Sequence, residues 1–222
     1  EDILGSGFNF DIEVLPGAGS YVCGEEFALM ECIEGKSGRS SYKPPFPTDK
    51  GLFGHPTQIN NVETFANIPV IIEMGADAFS RIGTEYSKGT KLISLCGNVQ
   101  KPGLYEVPFG VSVREIIDHL GGGLPEGRKI RMVQLGGASG PCIPEDMLDI
   151  RLDYREMDKK GLMLGSGAVI VMDDRIDILY ILKRITQFFL HESCGKCTPC
   201  REGNAQMLIL LDRFIQSKAG EQ

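Results

Sequence analysis

The chain has 222 residues, of which 42% are apolar and 24% charged, and a net charge of −7. That is the composition of a globular protein of one to three domains, not of a disordered tail or a fibrous repeat. There is no basic block, so nucleic acid is not an expected partner. No apolar run approaches the ~18 residues of a membrane span, and no signal-peptide pattern opens the chain, so no direct membrane insertion is expected.

The first region runs over residues 1–87. Phe10–Leu15 alternates as a short strand would and is followed by Pro16-Gly17-Ala18-Gly19. Residues 25–34 read as a helix with Phe27, Leu29, Met30 and Ile33 as its apolar positions. The segment 35–59 is rich in Gly, Pro, Ser and Lys. A loop of that length is usually functional or disordered, and Pro44-Pro45-Phe46-Pro47 makes it too stiff for a flexible linker. Asn60 with Glu63 resembles a capping box for the next helix, which Pro69 is expected to kink or end.

The second region spans residues 88–174. Lys91–Val99 and Leu104–Pro108 read as strands joined by a Gln100-Lys101-Pro102-Gly103 turn. Ser112 caps a helix through Leu120 that Gly121-Gly122-Gly123 ends, and Arg131–Leu135 and Ala168–Met172 are further strands. This order suggests a small α+β unit of β-grasp type. The third region, residues 175–222, holds two amphipathic helices. The first has apolar residues at 178, 179, 182, 185, 188 and 189. The second, from Arg201 to about Ser217, has Leu208, Leu211, Phe214 and Ile215 on one side. Two such helices need further partners to cover them.

Seven cysteines, an odd number without a secretory context, suggest thiols or metal ligands in a reducing compartment. Cys194-Gly-Lys-Cys197-Thr-Pro-Cys200 is the sharpest signal. Two C-x-x-C steps bring three thiolates together, as three corners of an iron–sulfur cube require. Zinc is the alternative, although it normally takes four ligands in pairs. A redox-active C-x-x-C pair is another. No cysteine follows Cys200, and His191 reads as an exposed helix histidine. Cys23, Cys32, Cys96 and Cys142 read as buried structural thiols. The segment Gly17-Ala-Gly-Ser-Tyr21-Val-Cys-Gly24-Glu25-Glu26 suits a ligand loop between strand and helix, but its glycines do not keep the dinucleotide-binding spacing. On the residues alone, Glu25 and Glu26 are favourable charges in a first helical turn and Tyr21 is a core residue.

Four stretches in this order carry a resemblance: residues 17–26, Lys43-Pro-Pro-Phe46-Pro47, Asn60-Asn61-Val-Glu-Thr64, and residues 192–203 around the cysteines. They resemble the flavin-bearing, NADH-oxidising subunit of respiratory complex I. They also resemble its relatives in NAD(P)-linked bifurcating hydrogenases and NAD-dependent formate dehydrogenases. Lys196 after His191 is closer to the hydrogenase-type members.

The resemblance implies a mixed α/β and α+β fold: part of a Rossmann-like FMN- and NADH-binding domain at 1–87, a ubiquitin-like β-grasp (SLBB-like) domain at 88–174, and the start of a helical iron–sulfur domain at 175–222. It implies that Tyr21, Gly24, Glu25 and Glu26 line the flavin and nicotinamide site, and that Phe46 stacks on the adenine with Lys43 beside it. Asn60, Asn61 and Thr64 would hold the flavin ribityl-phosphate, and Cys194, Cys197 and Cys200 would be three ligands of a [4Fe-4S] cluster. The family's glycine-rich segment and its fourth cluster cysteine are not in these residues, so the sequence is expected to be an internal fragment of a longer subunit. The implied activity is that of an NADH dehydrogenase or diaphorase subunit. It would work with other iron–sulfur subunits of a multi-subunit redox complex, in the cytoplasm or at the cytoplasmic or matrix face of a membrane complex. The alternative is a non-catalytic docking module with a β-grasp domain and a structural zinc knot.

Overall fold

A computed structural model describes residues 2–17 and 19–220, the last three by their backbone alone. The chain divides into two compact units, Glu1–Asn60 with Thr186–Gln222, and Asn61–Ile185.

In the first unit a 3-10 turn, Tyr21–Gly24, leads into helix α1, Glu26–Ile33. Glu25 caps α1, its carboxylate accepting from the Ala28 N–H at 3.0 Å, which satisfies one of the helix's free amides. Ala28 and Met30 are buried. The expected strand at residues 10–15 is not formed: these residues pair with no strand, and Phe10, Ile12, Val14 and Leu15 are exposed. An alternating pattern becomes a strand only where a neighbour completes its hydrogen bonds.

The long loop is ordered by its own polar groups. Glu31 accepts from the Arg39 N–H at 2.9 Å and Glu34 from the Phe53 N–H at 2.7 Å, so α1 anchors the loop at two points. Thr57 N–H donates to the Pro47 carbonyl at 2.8 Å and Leu52 N–H to the Thr57 hydroxyl at 2.9 Å.

The second unit opens with α2, Val62–Met74, followed by a short α3, Ala76–Ser80. The cap falls one residue later than expected: the Asn61 side chain accepts from the Glu63 N–H at 2.8 Å. The Glu63 carboxylate is engaged elsewhere and closes no capping box. Pro69 lies inside α2 without ending it. The carbonyl that loses its partner belongs to Phe65, on an exposed turn that water can reach.

Strand β1, Thr90–Gly97, pairs antiparallel with β2, Gly103–Pro108, with Ile93 opposite Tyr105. Ser112 caps α4, Val113–Glu115, in a full capping box, and a π-helical turn, Ile116–Leu120, continues it. Then come β3, Ile130–Leu135; β4, Cys142–Ile143; α5, Tyr154–Lys159; and β5, Ala168–Asp173. The sheet order is β2-β1-β5-β3-β4, with β1 and β5 parallel and the other neighbours antiparallel. A hairpin, a crossing helix and a central parallel pair make this a β-grasp sheet. Ile93, Leu95, Ile116, Ile117, Val133 and Val171 pack between sheet and helix, each 0–1% exposed. At Gly97, φ is 92° and an added Cβ would strike the Val171 carbonyl, so the close β1–β5 approach requires glycine.

Helix α6, Ile178–His191, begins where the Asp177 carboxylate accepts from the Leu179 N–H at 2.9 Å. Helix α7 runs over Thr198–Gly220, three residues ahead of the expected start. Pro199 is tolerated there because first-turn amides need no helical partner. No helix among the described residues is long and apolar enough to cross a membrane.

Candidate functional site

Within the first unit, two segments far apart in sequence meet. The Tyr21 N–H donates to Glu192 Oε2 at 2.9 Å. The Tyr21 ring lies edge-on to Phe188 at 5.1 Å and to Phe189 at 6.2 Å. The Tyr21 amide holds the Glu192 carboxyl below its ordinary pKa, which keeps it charged at neutral pH. Around this junction is a cavity of about 680 Å³, lined by Tyr21, Gly24 and Glu25 on one side and by Glu192, Cys194, Cys197 and Cys200 on the other.

The cysteine loop is ordered by hydrogen bonds of its own. Helix α7 starts directly after Cys197, whose carbonyl accepts from the Arg201 N–H at 3.1 Å, so Cys200 sits in the first turn rather than ahead of it. Asn204 Nδ2 lies 3.5 Å from the Cys200 sulfur and donates to its carbonyl at 2.9 Å. Ser193 Oγ lies 3.4 Å from the same sulfur. Arg201 closes the loop by donating to the Gly195 carbonyl at 2.7 Å. Among the described residues, no three His, Cys, Asp or Glu side chains are gathered to hold a single metal ion. An iron–sulfur cube asks for something else, one thiolate on each of several separate irons. Three thiols along one cavity wall, with polar donors at Cys200, fit that requirement. His191 is exposed, lies 3.3 Å from Glu192 Oε1, and is not part of the cavity wall.

The other expected nucleotide residues are placed as follows. Glu26 forms an ion pair with Lys43, whose ammonium also lies 5.8 Å from the Phe27 ring centre. Phe46 is exposed, and its N–H lies 3.3 Å from Asp49 Oδ2. Neither Glu26, Lys43 nor Phe46 lines the cavity described above. Lys196, inside the cysteine loop, donates to the Ser40 carbonyl and lies 5.5 Å from the Tyr42 ring centre, which ties the long loop to the cysteine loop. Asn60 is exposed in the first unit.

In the second unit, Asn61 and Thr64 line a separate cavity of about 440 Å³ with Glu63, Asn67, Lys88 and Lys91. Asn61 commits its carbonyl oxygen to the helix cap, so its amide N–H groups are what it can offer a ligand. Glu63 pairs with the buried Lys91 and accepts from the Leu92 N–H at 3.0 Å, which fixes the start of α2 on β1. Burial disfavours the charge on Glu63, but the Leu92 amide and Lys91 outweigh it and hold its pKa low.

Sequence reasoning passed over Glu192, Lys196 and the Glu63–Lys91 pair as site residues. The first two sat inside recognised motifs, but their partners lie on distant segments.

Residues 2–70 match the family model of the Nuo51 FMN-binding domain, 92–143 that of the SLBB domain, and 180–222 that of the NADH-ubiquinone oxidoreductase-F iron-sulfur binding region. The three together define a flavin- and iron–sulfur-binding class of protein.

Among similar proteins, the NADP-reducing hydrogenase subunit HndC of Solidesulfovibrio fructosivorans is 49% identical over 98% of this chain and 44% of its own length. An F-type NADH-quinone oxidoreductase subunit of Rhizobium meliloti (strain 1021) is 50% identical over 99% of this chain and 52% of its own. An NAD+-reducing [NiFe]-hydrogenase in its air-oxidised state superimposes with a TM-score of 0.80 at 39% identity, over 90% of this chain and 34% of that one. The chain spans about half the length of the curated relatives it matches. It is similar to part of the F-type NADH-quinone oxidoreductase subunits and of their hydrogenase counterparts.

Proposed function

We propose that this chain is the nucleotide- and cluster-binding part of an NADH-oxidising flavoprotein subunit. It passes electrons from NAD(P)H through FMN to a [4Fe-4S] cluster in a multi-subunit oxidoreductase, of the complex I type or of the hydrogenase or formate dehydrogenase type. The observation that carries this reading is the single cavity shared by the Tyr21–Glu25 segment and the three cysteines.

A bound flavin supplies the conversion between two-electron hydride chemistry and one-electron cluster chemistry. The chain's own residues bind and orient. Cys194, Cys197 and Cys200 would hold three irons of the cluster, with Asn204 and Ser193 beside the Cys200 sulfur. Glu192 fixes the backbone at Tyr21, so the nucleotide segment and the cluster loop keep one geometry. Tyr21, Gly24 and Glu25 shape the wall facing the nucleotide. Glu26 and Lys43, already paired, present a polar edge. Phe46 binds the adenine face, and Asn61 and Thr64, which line their own cavity, supply polar groups for a phosphate. No proton transfer is assigned to Glu25 or Glu26. The relatives are named as subunits, and this chain likewise works with other subunits; its place is the cytoplasmic or matrix face of its complex.

The test separates the two halves of the site. Cys197→Ala should abolish the cluster while NADH-to-ferricyanide activity and bound flavin partly remain. Retention of the full iron content in that variant would refute the ligand assignment. A wild-type protein that does not oxidise NADH with any acceptor would refute the function.

A further inference from the structure

The first unit contains a second thiol group that the proposed electron path does not use. Cys23 lies in the Tyr21–Gly24 turn and Cys32 in the last turn of α1. Their sulfurs are 2.9 Å apart, and both side chains are half-buried as free thiols.

The contact depends on a third residue. A Cβ at Gly38 would sit 2.5 Å from the Cys32 sulfur, 3.1 Å from the Ala28 carbonyl and 3.5 Å from the Cys23 sulfur. Glycine at 38 therefore leaves the space in which the two sulfurs face each other. That loop is fastened close by, where the Arg39 N–H bonds to Glu31. The arrangement is thus held from three sides: the turn, the helix and the loop.

We propose that Cys23 and Cys32 are a reversible dithiol–disulfide modification site, oxidised by small-molecule disulfides of the glutathione class. The chemistry is two exchange steps. A thiolate of the pair attacks one sulfur of the small disulfide, forming a mixed disulfide and releasing one glutathione thiolate. The second thiolate of the pair then attacks the protein sulfur of that mixed disulfide, forming the Cys23–Cys32 bond and releasing the second glutathione. Two protein thiols are oxidised, one small disulfide is reduced to two thiols, and the two protons of the pair pass to the departing thiolates. The contact with Cys32, together with burial, raises the Cys23 pKa. Cys23 therefore rests as a thiol near neutral pH, and the pair closes only when an oxidant is supplied. Closure ties the turn beside Tyr21 and Gly24 to the far end of α1, so the nucleotide segment and its supporting helix become one covalent ring.

The test is a mass measurement, which gives the same answer whether or not the protein oxidises NADH. The purified protein is incubated anaerobically with glutathione disulfide, its free thiols are alkylated, and its peptides are analysed. We expect Cys23 and Cys32 in one linked species two hydrogens lighter than the dithiol, reversed by dithiothreitol. In Cys32→Ser, whose fold is checked by circular dichroism, the link is absent and Cys23 retains a glutathione adduct. In Gly38→Ala, linkage slows several-fold because the methyl group displaces the Cys32 sulfur. Full alkylation of both cysteines in the folded wild type, or stable separate adducts on each, would overturn the proposal.

Discussion

The two units of this protein solve different problems. The second unit buries a continuous apolar core between its sheet and helices, from Ile93 and Leu95 to Val169 and Val171. In the first unit, Ala28, Met30, Pro47 and Leu211 are buried among the described residues, whereas Phe10, Ile12, Val14 and Phe46 are exposed. What organises the first unit is polar: Glu25 on the α1 cap, Glu31 and Glu34 on the long loop, Glu192 on Tyr21 and Lys196 on Ser40. A β-grasp sheet is stabilised by its own hydrophobic burial. A site for a nucleotide and a cluster leaves surface open for them and is held by directed bonds instead.

This contrast can be broken at several points, and the largest effect should come from the sheet unit. Leu152 is fully buried, and Leu152→Ala should destabilise that unit by about 2–5 kcal/mol, read as the urea midpoint of its unfolding. A cost near zero would mean that the core is not the source of its stability. In the open unit, Phe46→Ala should leave stability unchanged but raise the KM for NADH about tenfold, the order expected for one base–aromatic stack. Hydride transfer at saturation should change little. An unchanged KM would remove Phe46 from the site.

Asp153 sharpens the comparison from the other side, as a buried acid in the apolar unit. It caps α5 through the Glu156 N–H at 2.9 Å and accepts from the Thr84 hydroxyl. Asp153→Ala should cost about 0.5–2 kcal/mol, as helix caps do. The Thr84 hydroxyl, followed by backbone amides, holds its carboxyl below the ordinary Asp range despite burial. A depressed carboxyl stabilises the fold above its unfolded pKa, and the gain is lost as pH falls through the folded value. The difference between wild type and Asp153→Ala should therefore shrink in acid.

The smallest effect is expected at Glu192, which is solvent-accessible. Its pKa is also lowered, first by the Tyr21 amide, so the same sign applies. Glu192→Ala should lower Tm slightly at pH 7 and match wild type once pH drops below the carboxylate range. A Tm difference independent of pH would show that the carboxylate's charge contributes nothing.

Legibility in the sequence followed the same division. Strands β1, β2, β3 and β5 were predicted to within one or two residues, because β1 and β2 alternate in burial and β3 and β5 are short apolar runs buried in succession toward their ends. The two-residue β4 is too short to carry any period, and α5, announced only by Asp153, passes as a loop. The strand expected at Phe10–Leu15 had the pattern but lacks a partner to pair with. The cap of α2 moved from Asn60 to Asn61 because two adjacent asparagines are equally able to cap. In the site, the cysteine spacing was visible as chemistry, and the residues around it were recognisable through the family resemblance. The Tyr21–Glu192 bond was not visible, because it joins residues 171 positions apart. The Lys91–Glu63 pair was hidden for a similar reason, since a buried lysine shows itself only once its acid is placed beside it.

The central claim is that a nucleotide segment and a cluster loop share one redox site. The most direct test is an anaerobic iron, sulfide and flavin assay on the purified full-length subunit, with its visible spectrum recorded before and after NADH. The account predicts FMN together with about four iron and four sulfide per chain, and flavin absorbance that bleaches when NADH is added. Zinc without sulfide, or bound flavin that NADH leaves oxidised, would contradict it.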